Sequence, residues 1–113
     1  MQLNPYLSFN GQCEAAFKFY EQCFGGKILH ASLTVAGQTL MGADAPPERY
    51  QKPLGMHVTI GLTDVAEAGR IFAARAENGT VEMPLQETFW AVGFGLVVDR
   101  FGIPWMVNCG RPV

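Results

Sequence analysis

Residues 56–79 read Met56-His57-Val58-Thr59-Ile60-Gly61-Leu62, then Thr63-Asp64-Val65-Ala66-Glu67-Ala68-Gly69-Arg70-Ile71-Phe72-Ala73-Ala74-Arg75-Ala76-Glu77-Asn78-Gly79. Met56, Val58, Ile60 and Leu62 alternate with His57, Thr59 and Gly61, the period of a half-buried strand. Asp64 followed three residues later by Glu67 has the form of a capping box. Val65, Ala68, Ile71, Phe72 and Ala76 then recur at helical spacing and predict one apolar helix face. Asn78-Gly79 supplies the residue types that end a helix. The stretch predicts a strand followed by a helix that covers it.

The same sequence of signals occurs earlier in the chain. Leu3, Pro5, Leu7 and Phe9 alternate with Asn4, Tyr6, Ser8 and Asn10. Gly11-Gln12-Cys13-Glu14 places a carboxylate, Glu14, where it can cap a helix start. Cys13, Ala16, Phe17, Tyr20, Cys23 and Phe24 follow at helical spacing, and Gly25-Gly26 predicts the stop. A shift of 53 positions lays Glu14-Ala15 on Glu67-Ala68, Phe19 on Phe72 and Gly26 on Gly79. Further on, Gly37-Gln38-Thr39-Leu40-Met41 echoes Gly102-Ile103-Pro104-Trp105-Met106 at a shift of 65. Thr80–Met83 and Phe89–Asp99 read as strands, Asp99-Arg100-Phe101-Gly102 as a turn, and Ile103–Cys109 as a final strand. Pro104 has no amide hydrogen, so its amide side is expected to be unpaired or at an edge.

Between the halves, Asp44-Ala45-Pro46-Pro47-Glu48-Arg49-Tyr50-Gln51-Lys52-Pro53 holds three prolines in ten residues and reads as a connector. The expected organisation is a single α+β domain over 1–113, with a first module at 1–44, a connector at 45–55 and a second module at 56–110. Each sheet lays one face on its helix and leaves the other free to curve around a cavity.

Bulk properties narrow the function. The chain has 113 residues, 49% hydrophobic and 16% charged, enough to bury a core without covalent staples. A formal charge of −2 and the absence of any basic cluster argue against nucleic acid as a partner. The start, Met1-Gln2-Leu3-Asn4-Pro5, lacks a basic segment followed by an apolar run, so no signal peptide is expected. No run approaches the roughly 18 apolar residues of a membrane span. Cys13, Cys23 and Cys109 are odd in number and form no CxxC pair, which suits buried free thiols in a reducing, cytoplasmic setting.

Several motifs together carry a family resemblance: Asn4-Pro5-Tyr6-Leu7-Ser8-Phe9, Ala16-Phe17-Lys18-Phe19-Tyr20, Phe24-Gly25-Gly26-Lys27-Ile28, Leu40-Met41-Gly42-Ala43-Asp44, Thr88-Phe89-Trp90 and Asp99-Arg100-Phe101-Gly102-Ile103-Pro104-Trp105. Along nearly its whole length the chain resembles the PhnB-like branch of the vicinal-oxygen-chelate superfamily, which includes glyoxalases, bleomycin-resistance proteins and dioxygenases. The resemblance implies two tandem βαβββ-type modules forming a cupped mixed sheet, with helices on the outer face. Family members usually carry an extra strand and loop between the Gly-Gly and the segment resembling His30-Ala31-Ser32-Leu33. Here Lys27-Ile28-Leu29 runs straight into it, so either the first module is shortened, which would leave a sheet edge open to a partner chain, or residues are missing from the sequence at this point. Relatives also carry a demethylubiquinone methyltransferase label. This chain has no glycine-rich loop opening a helix after a strand, as S-adenosylmethionine binding would need.

Metal-dependent members of the family hold a divalent ion with four His, Glu or Gln side chains from the first and last strands of each module. Those positions carry over here to Asn4 or Pro5, Met41, His57 and Met106. One such donor in four does not make a zinc, nickel or manganese site, although two thioethers and an imidazole could hold Cu(I). No metal and no cofactor is therefore expected. The expected ligand-binding set is Tyr6, Ser8, Met41, His57, Thr59, Trp90, Phe94 and Met106, an aromatic lining with few polar groups. The competing reading makes the aromatics core or dimer contacts, and His57 a strand histidine bonded to a neighbour. Trp105 alternates onto the helix side and is assigned to the core.

No catalytic residue is named. Ser8 and Ser32 form no motif with a histidine, and Cys109 has no base beside it in sequence. Arg75 falls on or beside the apolar face of the second helix, as a snorkelling surface residue or a paired charge at a subunit contact. Three functions remain: a homodimeric module binding a small, partly apolar molecule, an enzyme acting on a small carbonyl or aromatic compound, or a vestigial structural dimer.

Overall fold

The computed structural model describes residues 1–24, 27–28 and 32–111. The chain divides into two compact units, Met1–Lys52 and Pro53–Val113, and the division falls in the proline-rich connector. No helix among the described residues is long and apolar enough to cross a membrane.

The first unit contains β1 (Tyr6–Phe9), α1 (Cys13–Phe24), β2 (Lys27–Ile28), β3 (Ser32–Val35) and β4 (Gln38–Asp44). The second contains β5 (Val58–Leu62), α2 (Val65–Ala76), β6 (Thr80–Gln86), β7 (Ala91–Val98) and β8 (Pro104–Gly110). Each unit has one four-stranded sheet, ordered β1-β4-β3-β2 in the first and β5-β8-β7-β6 in the second. The two orders correspond strand for strand. In both, the first strand pairs parallel with the last and the remaining pairs are antiparallel. The α+β class and the duplicated βαβββ plan are thus present in the structure.

The halves differ where a shortened first module was expected. β2 has two residues and β3 four, against seven in β6 and eight in β7. The expected helix stop at Gly25-Gly26, and Leu29, His30 and Ala31 of the segment that follows, lie outside the described residues.

Each helix buries one stripe. In α1 it is Cys13, Ala16, Phe17, Tyr20 and Cys23, buried together with Leu7 and Phe9 of β1. The Phe9 and Phe17 rings meet edge to face at 6.1 Å. Gly42 of β4 lets this helix approach, since a Cβ there would stand 2.8 Å from Phe17 Cε1. In α2 the stripe is Ala68, Ile71, Phe72 and Arg75, packed against β7 and β8. Val65, expected on that face, is exposed.

The helix starts are capped by aspartates. Asp64 accepts hydrogen bonds from the amides of Ala66 and Glu67, as the sequence suggested, but the Glu67 carboxylate pairs with Arg70. For α1 the expected cap is corrected. Glu14 pairs with Lys18 at 3.0 Å, and the Cys13 amide instead donates to Asp44 Oδ1 at 2.9 Å from the end of β4. The parallel β1–β4 pairing puts Phe9 beside Asp44 and so delivers that carboxylate to the helix start.

Strand ends also shift. β6 continues through Pro84 to Gln86, with register irregularities between Val81, Met83 and Gln86. Phe89 and Trp90 precede β7 rather than belong to it. β8 is an interior strand, so Pro104 is not at an edge. It is the first residue of its strand, where a missing donor costs least.

Arg75 is neither a snorkelling surface residue nor exposed for a subunit contact. It is fully buried, with Cζ 4.4 Å from the centroid of the Trp105 ring. Trp105 Nε1 donates to Asp99 Oδ2 at 2.8 Å, while Asp99 Oδ1 accepts from the amides of Phe101 at 2.8 Å and Ile103 at 3.0 Å. Trp105 is core, as its alternation indicated. Cys13, Cys23 and Cys109 are buried and form no disulfide.

Candidate functional sheet faces

Each sheet has one face on its helix and one face turned away, and the expected ligand-binding residues divide between the two units. In the first unit, Leu7 and Phe9 point to α1, so Tyr6 and Ser8 point to the opposite face, where both are exposed. Met41 stands opposite Tyr6 in the parallel ladder and opposite Ser32 in the antiparallel one. Partners in register share a face, so Tyr6, Met41 and Ser32 form one rung, with Ser8 and Ala43 on the next. These five residues are uncharged, with one aromatic ring among them.

The second unit carries the other five residues. Trp105, Val107 and Cys109 are buried toward α2, so Met106 and Asn108 face away from it. Gly95 of β7 lies on the helix side, since a Cβ there would meet Phe72 Cε2 at 2.7 Å, and this puts Phe94 and Leu96 on the open side. The ladder then gives one rung of Thr59, Met106 and Leu96, and the next of Gly61, Asn108 and Phe94. Thr59 Oγ1 donates weakly to Met106 Sδ at 3.7 Å.

Trp90 joins this face through Phe94. Their ring centroids are 5.4 Å apart with planes at 73°, and Phe89 meets Trp90 edge to face at 4.8 Å. Such offset, tilted pairs are the favoured geometry of aromatic quadrupoles. Arg111 braces the loop that carries them. It donates to the carbonyl oxygens of Phe89 and Thr88 and pairs with Glu87 at 3.1 Å. Thr88 closes the loop by accepting from the Ala91 amide at 3.1 Å. Phe89 is 88% exposed and Trp90 49%, so both present apolar area to solvent.

His57 immediately precedes β5, and its Nε2 lies 3.6 Å from Glu82 Oε1. β5 and β6 are the two edges of this sheet, three strand spacings or about 14 Å apart if it were flat. The contact therefore joins side chains from the two edges of the sheet. The contact becomes an ion pair whenever the imidazole is protonated. Glu82 was missed by the sequence reading because β5 and β6 share no ladder, so no local pattern brings residue 82 to residue 57.

The metal positions implied by the family resemblance can be tested on this donor set. They comprise the His57 imidazole, the Met41 and Met106 thioethers, and Asn4 or Pro5. Among the described residues no group of three or more His, Cys, Asp and Glu side chains is placed to hold a metal ion. Even with Glu82 counted beside His57, this set does not match what zinc, nickel or manganese prefer.

Comparison with known proteins agrees with this architecture. Residues 2–107 match the family described as Glyoxalase/Bleomycin resistance protein/Dioxygenase superfamily. Protein YjdN of Escherichia coli is 34% identical over 139 aligned positions, covering 96% of this chain and 95% of that protein. With 113 residues here, at least 26 of those 139 aligned positions have no counterpart in this chain. The crystal structure of protein PA1353 from Pseudomonas aeruginosa shares 40% identity, covers 99% of both chains and superposes with a TM-score of 0.92. A PhnB protein from Bacillus cereus has the same fold at 23% identity, with a TM-score of 0.83 over 97% of this chain and 100% of its own. From its matched family, its relatives and its duplicated βαβββ topology, the chain belongs to the glyoxalase/bleomycin resistance protein/dioxygenase superfamily.

Proposed function

We propose that this protein binds a small, partly apolar molecule on the open face of its sheets and needs no resident divalent ion to do so. The observation that carries the reading is the second unit's open face. There, Met106, Leu96 and Phe94 form an apolar floor, Trp90 stacks against its end, and Thr59 and His57 supply polar groups. Apolar area with a few fixed polar groups is what a small-molecule site requires. In the first unit, Tyr6, Ser8 and Met41 offer a similar, smaller surface. The protein acts as a cytoplasmic homodimer in this reading, with the abbreviated first module leaving strand edge for a partner to cover.

Two measurements test it. Thermal-shift screening against aromatic antibiotics and metabolites should find compounds that raise the melting temperature, because a ligand that binds only the native state stabilises it. Elemental analysis of the purified protein should find no stoichiometric nickel, zinc, manganese or iron. A metal-to-protein ratio near one would overturn the donor-set argument, and a silent screen would favour a purely structural role.

A further inference from the structure

We infer that Asn108 makes the open face of the second sheet selective for flat aromatic molecules that carry an O–H or N–H donor at the ring edge. This rests on the binding role proposed above and specifies the chemistry of its ligand. Asn108 Oδ1 is buried and accepts no hydrogen bond from any described residue. A buried acceptor of this kind costs folding free energy unless a donor reaches it, and buried side-chain oxygens are with few exceptions satisfied.

The surroundings say what kind of donor fits. Asn108 lies in register between Gly61 of β5 and Phe94 of β7. Gly61 contributes no side chain, and a Cβ built there would have nothing within 4 Å. On that side the rung is open at the width of a ligand atom. On the other side stands the Phe94 ring, backed by Trp90 at 5.4 Å. The terminal torsion of an asparagine is soft, so a modest rotation turns Oδ1 toward the Gly61 gap. A planar ring laid against Phe94 and Trp90 would direct a donor on its edge to that oxygen. The protein's own apolar neighbours, Met106 and Leu96, offer nothing that competes for it. An ether or methylated analogue of the same ring keeps the stacking and leaves the oxygen unsatisfied.

The test compares two probes of the same ring system, 2-naphthol and 2-methoxynaphthalene, titrated into the full-length protein and followed by NMR. On the unmodified chain 2-naphthol should bind about tenfold more tightly, the scale of leaving one buried acceptor unpaired. Asn108→Leu should erase that preference by weakening 2-naphthol alone, and Asn108→Asp, which keeps an acceptor, should retain it. Gly61→Val should weaken both probes by filling the gap. Equal affinities of the two probes for the unmodified protein would overturn the donor preference and leave the aromatic face standing. If neither probe shifts the resonances of Trp90 and Phe94, the binding role itself fails, and this inference with it.

Discussion

The guanidinium of Arg75 lies over the ring of Trp105 at 4.4 Å, with both side chains buried, and the indole N–H of Trp105 is held by Asp99 at 2.8 Å. One helix, one strand and one turn meet in this stack, so a cation, a ring and a carboxylate fix the last strand against its helix. A cation over an indole face is worth about 2 kcal/mol when desolvated. Asp99 also holds the turn before β8, through the amides of Phe101 and Ile103.

Asp99→Asn should therefore be costly although it changes few atoms. An amide presents a donor at one of two oxygen positions that both receive hydrogen bonds, so one N–H must face another. Urea unfolding should show a loss of about 2–3 kcal/mol. Arg75→Lys, which keeps the charge but gives up the planar stacking surface, should lose about 1–2 kcal/mol. Wild-type stability in both variants would show that the stack is incidental.

Close helix–sheet approach makes a second set of substitutions predictable. A Cβ at Gly42 would meet Phe17 at 2.8 Å and the Leu7 carbonyl oxygen at 2.9 Å, and one at Gly95 would meet Phe72 at 2.7 Å and the Leu85 backbone at 3.0 Å. Backbone neighbours cannot yield as a flexible side chain can. Gly42→Ala and Gly95→Ala should each cost about 1–3 kcal/mol. Gly61→Ala, with nothing within 4 Å, should leave the melting temperature almost unchanged.

These sites show what the sequence could and could not reveal. The duplication was legible because strand and helix periods do not depend on tertiary context, and both modules repeat them. Arg75 was legible in position: Ala68, Ile71, Phe72 and Arg75 follow one buried stripe. Its environment was not, because the ring that solvates it lies thirty residues later, at Trp105. The Asp44 cap and the Glu82 partner of His57 were hidden for related reasons. One depends on parallel pairing of β1 with β4, the other on a contact between two edge strands that share no ladder. Local patterns predict elements, whereas sites are assembled from residues distant in sequence.

The β3–β4 hairpin contains an unfavourable turn residue. Val35 pairs with Gln38 across a two-residue loop in which Ala36 has φ 50° and Gly37 φ 78°. Both central residues are left-handed, the conformation for which Asn-Gly is preferred. Ala36→Asn should raise stability by about 0.5–1 kcal/mol, since asparagine tolerates positive φ better than alanine. A calorimetric melting temperature that does not rise would argue against this turn type.

His57 offers a separation of binding from stability. Its contact with Glu82 is 3.6 Å long and about a third exposed on the histidine side, a geometry that contributes little to folding. His57→Ala should therefore change the unfolding midpoint by less than about 0.5 kcal/mol while altering the affinity of any compound found by thermal-shift screening. A large stability loss with unaltered binding would remove His57 from the site.

Cys13 links the first helix to pH. Burial is the main cause that raises its thiol above the ordinary value of 9.0, and the neighbouring Asp44 carboxylate adds to it by disfavouring a second negative charge. The folded protein therefore holds this proton more tightly than the unfolded chain does. Well below pH 9.0 both states are protonated and the native contribution is fully present. As pH rises past that value the unfolded chain ionises first, so stability falls until the folded thiol also titrates. Urea midpoints measured from pH 8 to pH 10.5 should drop more steeply for the wild type than for Cys13→Ala, which has no thiol to ionise at this position. Cys23 and Cys109 are present in both proteins, so their effects cancel in the comparison. Asp44→Asn should give an intermediate slope, since it removes the charge but leaves the burial. Parallel curves for all three proteins would mean that Cys13 ionises equally in both states and that its burial is too shallow to matter.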